Sequence, residues 1–195
     1  MTSSFFAAVS RMKYIERWAL MRNARPENLC EHSMEVAVIA HALCTIGNVR
    51  FGKQLDADYA AAAGLYHDMT EIITGDMPTP VKYYSKGMRQ TYQEVENAAK
   101  HQLLEKLPAD LRDSYRVLFD LREEAGYEKR LVKAADKLSA LIKCIEEEKS
   151  GNTEFLSAKR TTLAAVEEIA RELPEVQVFQ EEFLPAYGLT LDELM

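Results

Sequence analysis

The chain has 195 residues, 47% hydrophobic and 28% charged, which is the balance of a soluble globular domain rather than of a disordered or fibrous chain. Its formal net charge of −7 argues against a protein that binds nucleic acid polymers through a basic face. Three cysteines without CxxC spacing and the absence of a secretory leader pattern favour reduced thiols, so we expect a cytoplasmic protein.

The element pattern indicates an all-α protein that forms a single domain over residues 1–195. Eight glycines and six prolines leave little material for many tight turns, and no repeat or flexible linker divides the chain. A first helix is predicted over residues 4–15, followed by a connecting segment over residues 17–26. Residues 11–25 carry a net charge of +4, which favours a small anionic ligand, although a solvated basic surface explains the charge equally well.

The next helices have recognisable ends. Asn28 and Glu31 form a predicted capping box, which opens a helix that we expect to end at Gly47-Asn48. Its uncharged run, residues 36–49, is too short and too polar to span a bilayer, so we expect no membrane segment. The following helix is predicted over residues 56–73, with Gly75 just past its end.

Prolines and helix propensity define the rest of the chain. Two prolines exclude regular helix from residues 76–80. Stretches rich in Ala, Leu, Glu, Lys and Arg predict further helices over residues 87–106, 109–124, 127–148, 154–172 and 175–186.

Two histidines are predicted to face the interior. His32 continues the apolar stripe of its helix, and His67 extends a seam of small residues, with Asp68 and Glu71 beside it. His41 falls on the opposite face, toward solvent. A lone histidine on an apolar face is usually a hydrogen-bonded core residue. Two of them beside carboxylates favour a divalent cation, because burying several ionisable groups is costly unless something compensates their charge.

Asp136 is the third piece of this pattern. It lies on the flank of the apolar stripe of the predicted helix over residues 127–148. Its helical phase permits a ligand at the edge of the core without requiring one. A solvated ion pair with Lys133 or Lys137 is the commoner role of such a residue and stays open.

Taken together, these residues show the order H…HD…D of the HD-domain metal-dependent phosphohydrolases. The chain resembles more closely the bacterial HD-domain 5′-deoxynucleotidases, from Phe5 to the C-terminus. The motifs that carry this resemblance are Arg17-Trp18, Arg22-Asn23, Glu31-His32-Ser33, Tyr66-His67-Asp68, Glu71, Thr74-Gly75-Asp76, Pro78-Thr79-Pro80-Val81-Lys82 and Lys133-Ala134-Ala135-Asp136. The resemblance implies an HD-type helical bundle that hydrolyses deoxyribonucleoside 5′-monophosphates to deoxynucleoside and phosphate.

The resemblance also implies a metal centre and two catalytic carboxylates. One divalent cation per subunit would be bound by His32, His67, Asp68 and Asp136. Such a mixed set of nitrogen and oxygen donors suits Co²⁺, Mn²⁺ or a similar ion, and does not choose among them. Glu71 is expected to orient or deprotonate the attacking water, and Asp76 to act on the leaving 5′-oxygen. Which of the two is the acid and which the base stays open.

The implied substrate site begins with Arg17, which would pair with the phosphate, and Trp18, which would help to exclude a 2′-hydroxyl. A core anchor is the alternative role of Trp18. The resemblance completes this site with Thr79 and Lys82, together with His32, Asp76 and Asp136. It also implies a homodimer, to which the apolar residues 176–191 are expected to contribute.

Three other functions stay open. Another HD phosphohydrolase would act on a cyclic nucleotide, a nucleoside triphosphate or a signalling pyrophosphate. A non-catalytic nucleotide-sensing module would keep the bundle without the reaction, although the presence of all four ligands and both additional carboxylates argues against it. An acidic helical scaffold would use the same residues for packing alone and would bind no metal.

Overall fold

The computed structural model describes residues 2–82, 84–120 and 126–195, and these are predominantly helical, which confirms the predicted all-α class. The α-helices are α1 (Phe5–Val9), α2 (Leu29–Phe51), α3 (Ala57–Tyr66), α4 (Glu71–Thr74), α5 (Thr79–Lys82), α6 (Lys86–Leu104), α7 (Arg112–Asp120), α8 (Gly126–Lys149), α9 (Leu156–Glu172), α10 (Pro174–Glu182) and α11 (Leu191–Leu194). Short 3₁₀ helices lie at Ser10–Tyr14, Ala109–Leu111, Thr153–Phe155 and Leu184–Gly188.

The N-terminal region differs from the prediction of one helix over residues 4–15. α1 ends at Val9, and the 3₁₀ helix Ser10–Tyr14 completes the segment. Two short strands then follow, β1 (Glu16–Arg17) and β2 (Glu27–Asn28), which pair antiparallel with Arg17 opposite Glu27. Two residues are too few to display an alternating pattern, so the sequence did not predict them. The ribbon closes the loop over residues 18–26.

α2 is the central helix of the fold. The predicted capping box is present: the Asn28 side chain accepts from the backbone N–H of Glu31, and the Glu31 side chain accepts from the backbone N–H of Asn28. The predicted end at Gly47-Asn48 is wrong, because the helix continues to Phe51 and ends at Gly52, whose φ is +65°. Gly47 serves close packing instead, since a Cβ there would lie 2.8 Å from Glu175 Oε1.

By length and composition, α2 is also the one helix in the described ranges that could cross a membrane. However, 56% of its most apolar 18-residue window is buried inside the fold. The side chains of Val36, Ile39, Ala40 and Leu43 lie in the core, as the sequence predicted for this stripe. This burial is what a helix at the centre of a globular core requires.

The helix predicted over residues 56–73 is interrupted. α3 ends at Tyr66, and α4 begins only at Glu71, with hydrogen bonds of the i to i+3 type between them. The carbonyl of Gly64, which a continuous helix would offer to the N–H of Asp68, accepts a hydrogen bond from His67 Nδ1. Gly75 ends α4 with a φ of +71°, as predicted.

The later helices follow the predictions closely. The prediction that residues 76–80 are irregular is wrong at its end, because α5 begins at Thr79 and a proline is accepted in a first helical turn. The helix predicted over residues 109–124 begins as a 3₁₀ turn and continues as α7, while residues 121–124 lie outside the described residues. α6, α8, α9 and α10 each begin and end within a few residues of the predicted limits, although the last predicted helix finishes as a 3₁₀ turn.

Two hydrophobic clusters meet beside α2. The larger lies among α2, α3, α8, α9 and α10, and includes Val36, Leu138 and Val176. The smaller contains Phe5, Met12, Leu29, Met69, Leu103, Leu104, Leu107 and Phe119. Since Leu29 belongs to one cluster and Val36 to the other, the first turns of α2 lie where the two clusters join. His32 is fully buried at this junction.

Candidate metal centre

Three parts of the fold bring four ionisable side chains together. His32 comes from the first turn of α2, His67 and Asp68 from the turn after α3, and Asp136 from α8. One donor atom from each of them lies within 4.8 Å of the others. The sequence-predicted ligand set therefore forms a compact cluster in the folded chain.

The contact between α2 and α3 sets the spacing of the two imidazoles. Gly64 lies against the backbone of α2, and a Cβ on it would be 2.8 Å from Ala37 Cα. This close approach places the His32 and His67 rings with their centroids 5.2 Å apart. A larger residue in place of Gly64 would push the two helices, and hence the two rings, apart.

Hydrogen bonds on one ring nitrogen orient each histidine. His67 Nδ1 lies 2.7 Å from the Gly64 carbonyl, which can only accept, so Nδ1 carries the proton. His32 Nδ1 lies 2.9 Å from Ser139 Oγ. In both residues Nε2 faces the cluster, and among the described residues neither buried Nε2 has a hydrogen-bond partner.

The carboxylates lie directly beside these Nε2 atoms. Asp68 Oδ2 is 2.9 Å from His67 Nε2 and 3.5 Å from His32 Nε2, and Asp136 Oδ1 is 3.3 Å from His32 Nε2. Burial alone would lower the pKa of His67, but the charges of Asp68 and Asp136 outweigh it and raise this pKa to about 9. The cluster therefore attracts positive charge strongly.

The pKa values of the two carboxyl groups, Asp68 and Asp136, are shifted in the opposite direction, downward. Burial would raise the pKa of Asp68, but the neighbouring histidines outweigh it and hold this pKa well below its usual range. Burial likewise opposes the lowered pKa of Asp136, which is due to the adjacent His32 and to the charge of Lys137. Two ionised carboxylates and two imidazole nitrogens directed at one point fit a divalent cation.

Glu71 stands one helical turn beyond His67, at the start of α4. Its Oε2 is buried and, within the described part of the chain, has no hydrogen-bond partner. Burial and the charges of Asp68 and Asp76 raise the pKa of Glu71 to about 9, against the opposing charges of Arg17 and Lys82. A buried carboxyl with a displaced pKa beside a metal cluster is typical of a proton-transfer residue.

Asp76 follows Gly75 on the exposed side of the site. Burial of its carboxyl group raises the pKa of Asp76, and the charge of Asp68 acts in the same direction. The charge of Arg17 and the backbone N–H of Trp18 oppose this rise. The loop that bears Arg17 and Trp18 is thus next to Asp76, as one substrate site would require.

Arg17 and Trp18 lie together at the start of the 18–26 loop. Arg17 Nη1 forms an ion pair of 2.8 Å with Glu27 Oε2, and Arg17 Cζ is 5.9 Å from the centroid of the Trp18 ring. Trp18 has a φ of +57°, a conformation that side chains rarely adopt, and its ring lies 5.4 Å from that of Phe155. Local strain of this kind often occurs where a side chain is held for binding.

Lys82 and Thr79 belong to α5. Lys82 Nζ lies 2.8 Å from Glu96 Oε1 and 4.5 Å from the centre of the Tyr92 ring, and its charge still reaches Glu71. The side chain of Thr79 lies outside the described residues. His41 is exposed, as predicted, and lies away from the cluster near Asp58.

Sequence reasoning missed several residues that support the site. Glu147 and Lys143 of α8 hold the 18–26 loop: Glu147 Oε2 accepts from the Ala24 N–H at 2.7 Å, and Lys143 Nζ donates to the Arg25 carbonyl. Ser139 Oγ contacts His32, and it donates to Glu35 Oε2 at 2.6 Å. A spacing of three residues from Asp136 to Ser139, and from His32 to Glu35, was the available signal.

Comparison with known proteins agrees with this architecture. The family model described as 5′-deoxynucleotidase YfbR-like matches residues 4–187. The chain is 46% identical over 195 residues to a 5′-deoxynucleotidase of Erwinia tasmaniensis. The aligned region covers 98% of this chain and 96% of that protein. It is also 46% identical over 192 residues to 5′-deoxynucleotidase YfbR of Escherichia coli, with the same coverage.

A solved structure extends the comparison to the fold. The crystal structure of an HD-domain phosphohydrolase from Listeria innocua superposes with a TM-score of 0.82 at 26% sequence identity. The match covers 94% of this chain and 88% of that one.

Proposed function

The chain belongs to the YfbR-like 5′-deoxynucleotidase family, and we propose that His32, His67, Asp68 and Asp136 hold the divalent metal on which its activity depends. The enzyme hydrolyses deoxyribonucleoside 5′-monophosphates to deoxynucleoside and phosphate. The observation that carries the proposal is the pair of buried imidazoles whose Nε2 atoms face two ionised carboxylates and, among the described residues, have no hydrogen-bond partner. A divalent ion there supplies Lewis-acid chemistry, because it polarises a phosphoryl oxygen and lowers the pKa of a water.

Glu71 and Asp76 handle the protons of the reaction in this proposal. Glu71 lies one turn beyond His67, and its buried Oε2 has no hydrogen-bond partner among the described residues. A cation beside it would offset the charge of Asp68 that helps to raise the pKa of Glu71, and would leave Glu71 ionised to take the proton of the attacking water. Asp76 lies beside Arg17 and Trp18, on the side where its carboxyl group can donate a proton to the leaving 5′-oxygen. Each carboxyl group therefore serves one side of the phosphoryl group.

Arg17 and Trp18 bind the substrate. The guanidinium of Arg17 offsets the charge that develops on the phosphoryl group, and its ion pair with Glu27 holds it in place. The Trp18 ring packs against Phe155 and would offer a flat wall to the sugar that helps to exclude a 2′-hydroxyl. Lys82 adds positive charge near Glu71, and Thr79 is the first residue of α5, the helix that carries Lys82.

We propose Co²⁺ or Mn²⁺ as the ion, because both accept mixed imidazole and carboxylate ligands with further coordination positions open. We also propose a cytoplasmic homodimer, with residues 1–195 forming one domain in each subunit. Within residues 176–191, Val176, Phe179 and Leu184 pack in the subunit's own core. The exposed large apolar residues left for the interface are Phe183, Leu189 and Leu191. Light scattering that gave a monomer would remove the dimer from this proposal.

The experiment is phosphate release from deoxyribose and ribose 5′-monophosphates, with the metal removed by chelation and then restored as Co²⁺, Mn²⁺ or Mg²⁺. We expect release that needs metal and favours deoxyribose. His32→Ala should lose both bound metal and activity. His41→Ala on the same helix is the matched control, since His41 is exposed and lies outside the cluster, and it should keep both. Full activity in chelated enzyme or in His32→Ala would contradict the proposal.

A further inference from the structure

A chain of hydrogen bonds runs from the candidate metal ligand His32 to a carboxylate outside the cluster. His32 Nδ1 lies 2.9 Å from Ser139 Oγ, and Ser139 Oγ lies 2.6 Å from Glu35 Oε2. His32 and Ser139 are completely buried, whereas Glu35 is half-buried at the edge of a cleft of about 210 Å³. Neither Ser139 nor Glu35 has a part in the reaction described above.

The protons available in this series of hydrogen bonds determine which ring nitrogen of His32 carries a lone pair. A serine hydroxyl has one proton to donate, and the carboxylate of Glu35 can only accept. Ser139 therefore donates to Glu35, and its oxygen accepts from the N–H at Nδ1 of His32. In the neutral imidazole Nε2 is then the nitrogen without a proton, and it faces Asp68 and Asp136.

The helices hold this arrangement rigidly. Glu35 and His32 lie one turn apart on α2, and Ser139 and Asp136 lie one turn apart on α8. The hydrogen bonds therefore join the same two helices that supply His32 and Asp136 to the cluster. His67 needs no such side chains, because the Gly64 carbonyl fixes its Nδ1 proton directly.

We propose that Glu35 and Ser139 are positioning residues for the metal, which act by holding His32 in the tautomer and orientation that present Nε2 to the ion. This inference rests on the metal centre proposed above. Partners of this kind on the far nitrogen of a ligating histidine also raise its basicity, and their removal typically costs about 10–100-fold in metal affinity.

The cleft beside Glu35 supplies a matched control. Its lining includes Glu146 of α8, which is more exposed than Glu35. Both glutamates lie near Glu27, but only Glu35 is hydrogen-bonded to Ser139. Glu146→Ala removes the same charge from the same cleft without touching the chain from His32 to Glu35.

The experiment is titration of the full-length, metal-stripped protein with Co²⁺, followed by visible absorption, with melting temperatures of each metal-free variant recorded alongside. Ser139→Ala and Glu35→Ala should each weaken Co²⁺ binding by about 10–100-fold. The double variant should bind no more weakly than Ser139→Ala, because the two residues act in series. Glu146→Ala should bind as the wild type does.

The outcomes separate this inference from the metal centre itself. Tight Co²⁺ binding by the wild type, together with unchanged affinity in Glu35→Ala and Ser139→Ala, would overturn the positioning role and leave the metal centre intact. Equal weakening in Glu35→Ala and Glu146→Ala would also overturn it, since charge in the cleft would then be the cause. No Co²⁺ binding by folded wild-type protein would overturn the metal centre and this inference with it.

Discussion

Gly64→Ala should disturb the metal centre through the packing of α2 against α3. The new Cβ would lie 2.8 Å from Ala37 Cα and 3.0 Å from the Ala37 backbone nitrogen, both atoms of a helix backbone that cannot rotate away. Carbon atoms in contact prefer about 3.5–4.0 Å, so the helices would have to separate locally by up to about 1 Å. Overpacking of this kind costs about 1–3 kcal/mol.

The cost should appear in both stability and metal binding. In a domain of this size each kcal/mol lowers the melting temperature by about 2–4 °C, so we expect a loss of about 2–12 °C. Because the Gly64 carbonyl accepts from His67 Nδ1, displacement of α3 also moves a ligand, and Co²⁺ should bind more weakly. Thermal unfolding followed by circular dichroism and a Co²⁺ titration measure the two effects.

Gly87→Ala in α6 is the control for this substitution. Among the described residues, a Cβ there would meet only Ser85 Oγ, at 3.9 Å, so alanine should be neutral or should stabilise the helix by about 0.5–1 kcal/mol. If Gly64→Ala melted at the wild-type temperature or above and bound Co²⁺ with unchanged affinity, the reasoning that close helix packing sets the distance between the histidines would be refuted.

Three further substitutions test individual roles. Glu71→Gln should keep its metal, as measured by elemental analysis, but lose about 10²–10⁴-fold in phosphate release, because the group that accepts a proton is removed; wild-type rates would exclude Glu71 from catalysis. Trp18→Ala should lower the ratio of kcat/KM for deoxyribose over ribose substrates by about tenfold or more, and an unchanged ratio would place the sugar elsewhere. Glu147→Gln should destabilise the protein at neutral pH by about 3 kcal/mol, since hydrogen bonds from Lys143, Ala24 and Asn152 outweigh burial and lower the pKa of Glu147 to about 2. Because the pKa of Glu147 is lower in the folded than in the unfolded protein, its carboxylate stabilises the fold above the unfolded pKa and loses this effect as pH falls. The difference in unfolding free energy between Glu147→Gln and wild type, measured by urea titration, should therefore shrink as pH falls from about 5 to about 2. A difference independent of pH would contradict this.

Helical phase accounts for what the sequence predicted well. His32 shares the stripe of Val36, Ile39 and Leu43, and because those positions are buried, the histidine is buried with them. The same reasoning gave the exposed position of His41. Periodicity is reliable here because α2 and α8 are long, regular helices packed on one face.

Tertiary contacts account for what the sequence did not predict. The sequence predicts a helix end at Gly47, yet α2 continues to Phe51, and Glu175, far away in sequence, lies against Gly47. The break after Tyr66 places Asp68 in a turn, and the hydrogen bond of His67 to the Gly64 carbonyl accompanies it. The distance from Glu35 through Ser139 to His32 likewise depends on how α8 docks on α2, which no local pattern specifies.

The position of the bound metal decides whether His32, His67, Asp68 and Asp136 are its ligands. Crystals of the full chain grown with Co²⁺ would be measured at the cobalt absorption edge, where anomalous scattering locates the ion independently of any assumed ligand. We expect one ion per chain, in contact with His32 Nε2, His67 Nε2 and the carboxylates of Asp68 and Asp136. An ion bound elsewhere, or an active enzyme whose crystals hold no ion between these four side chains, would contradict it.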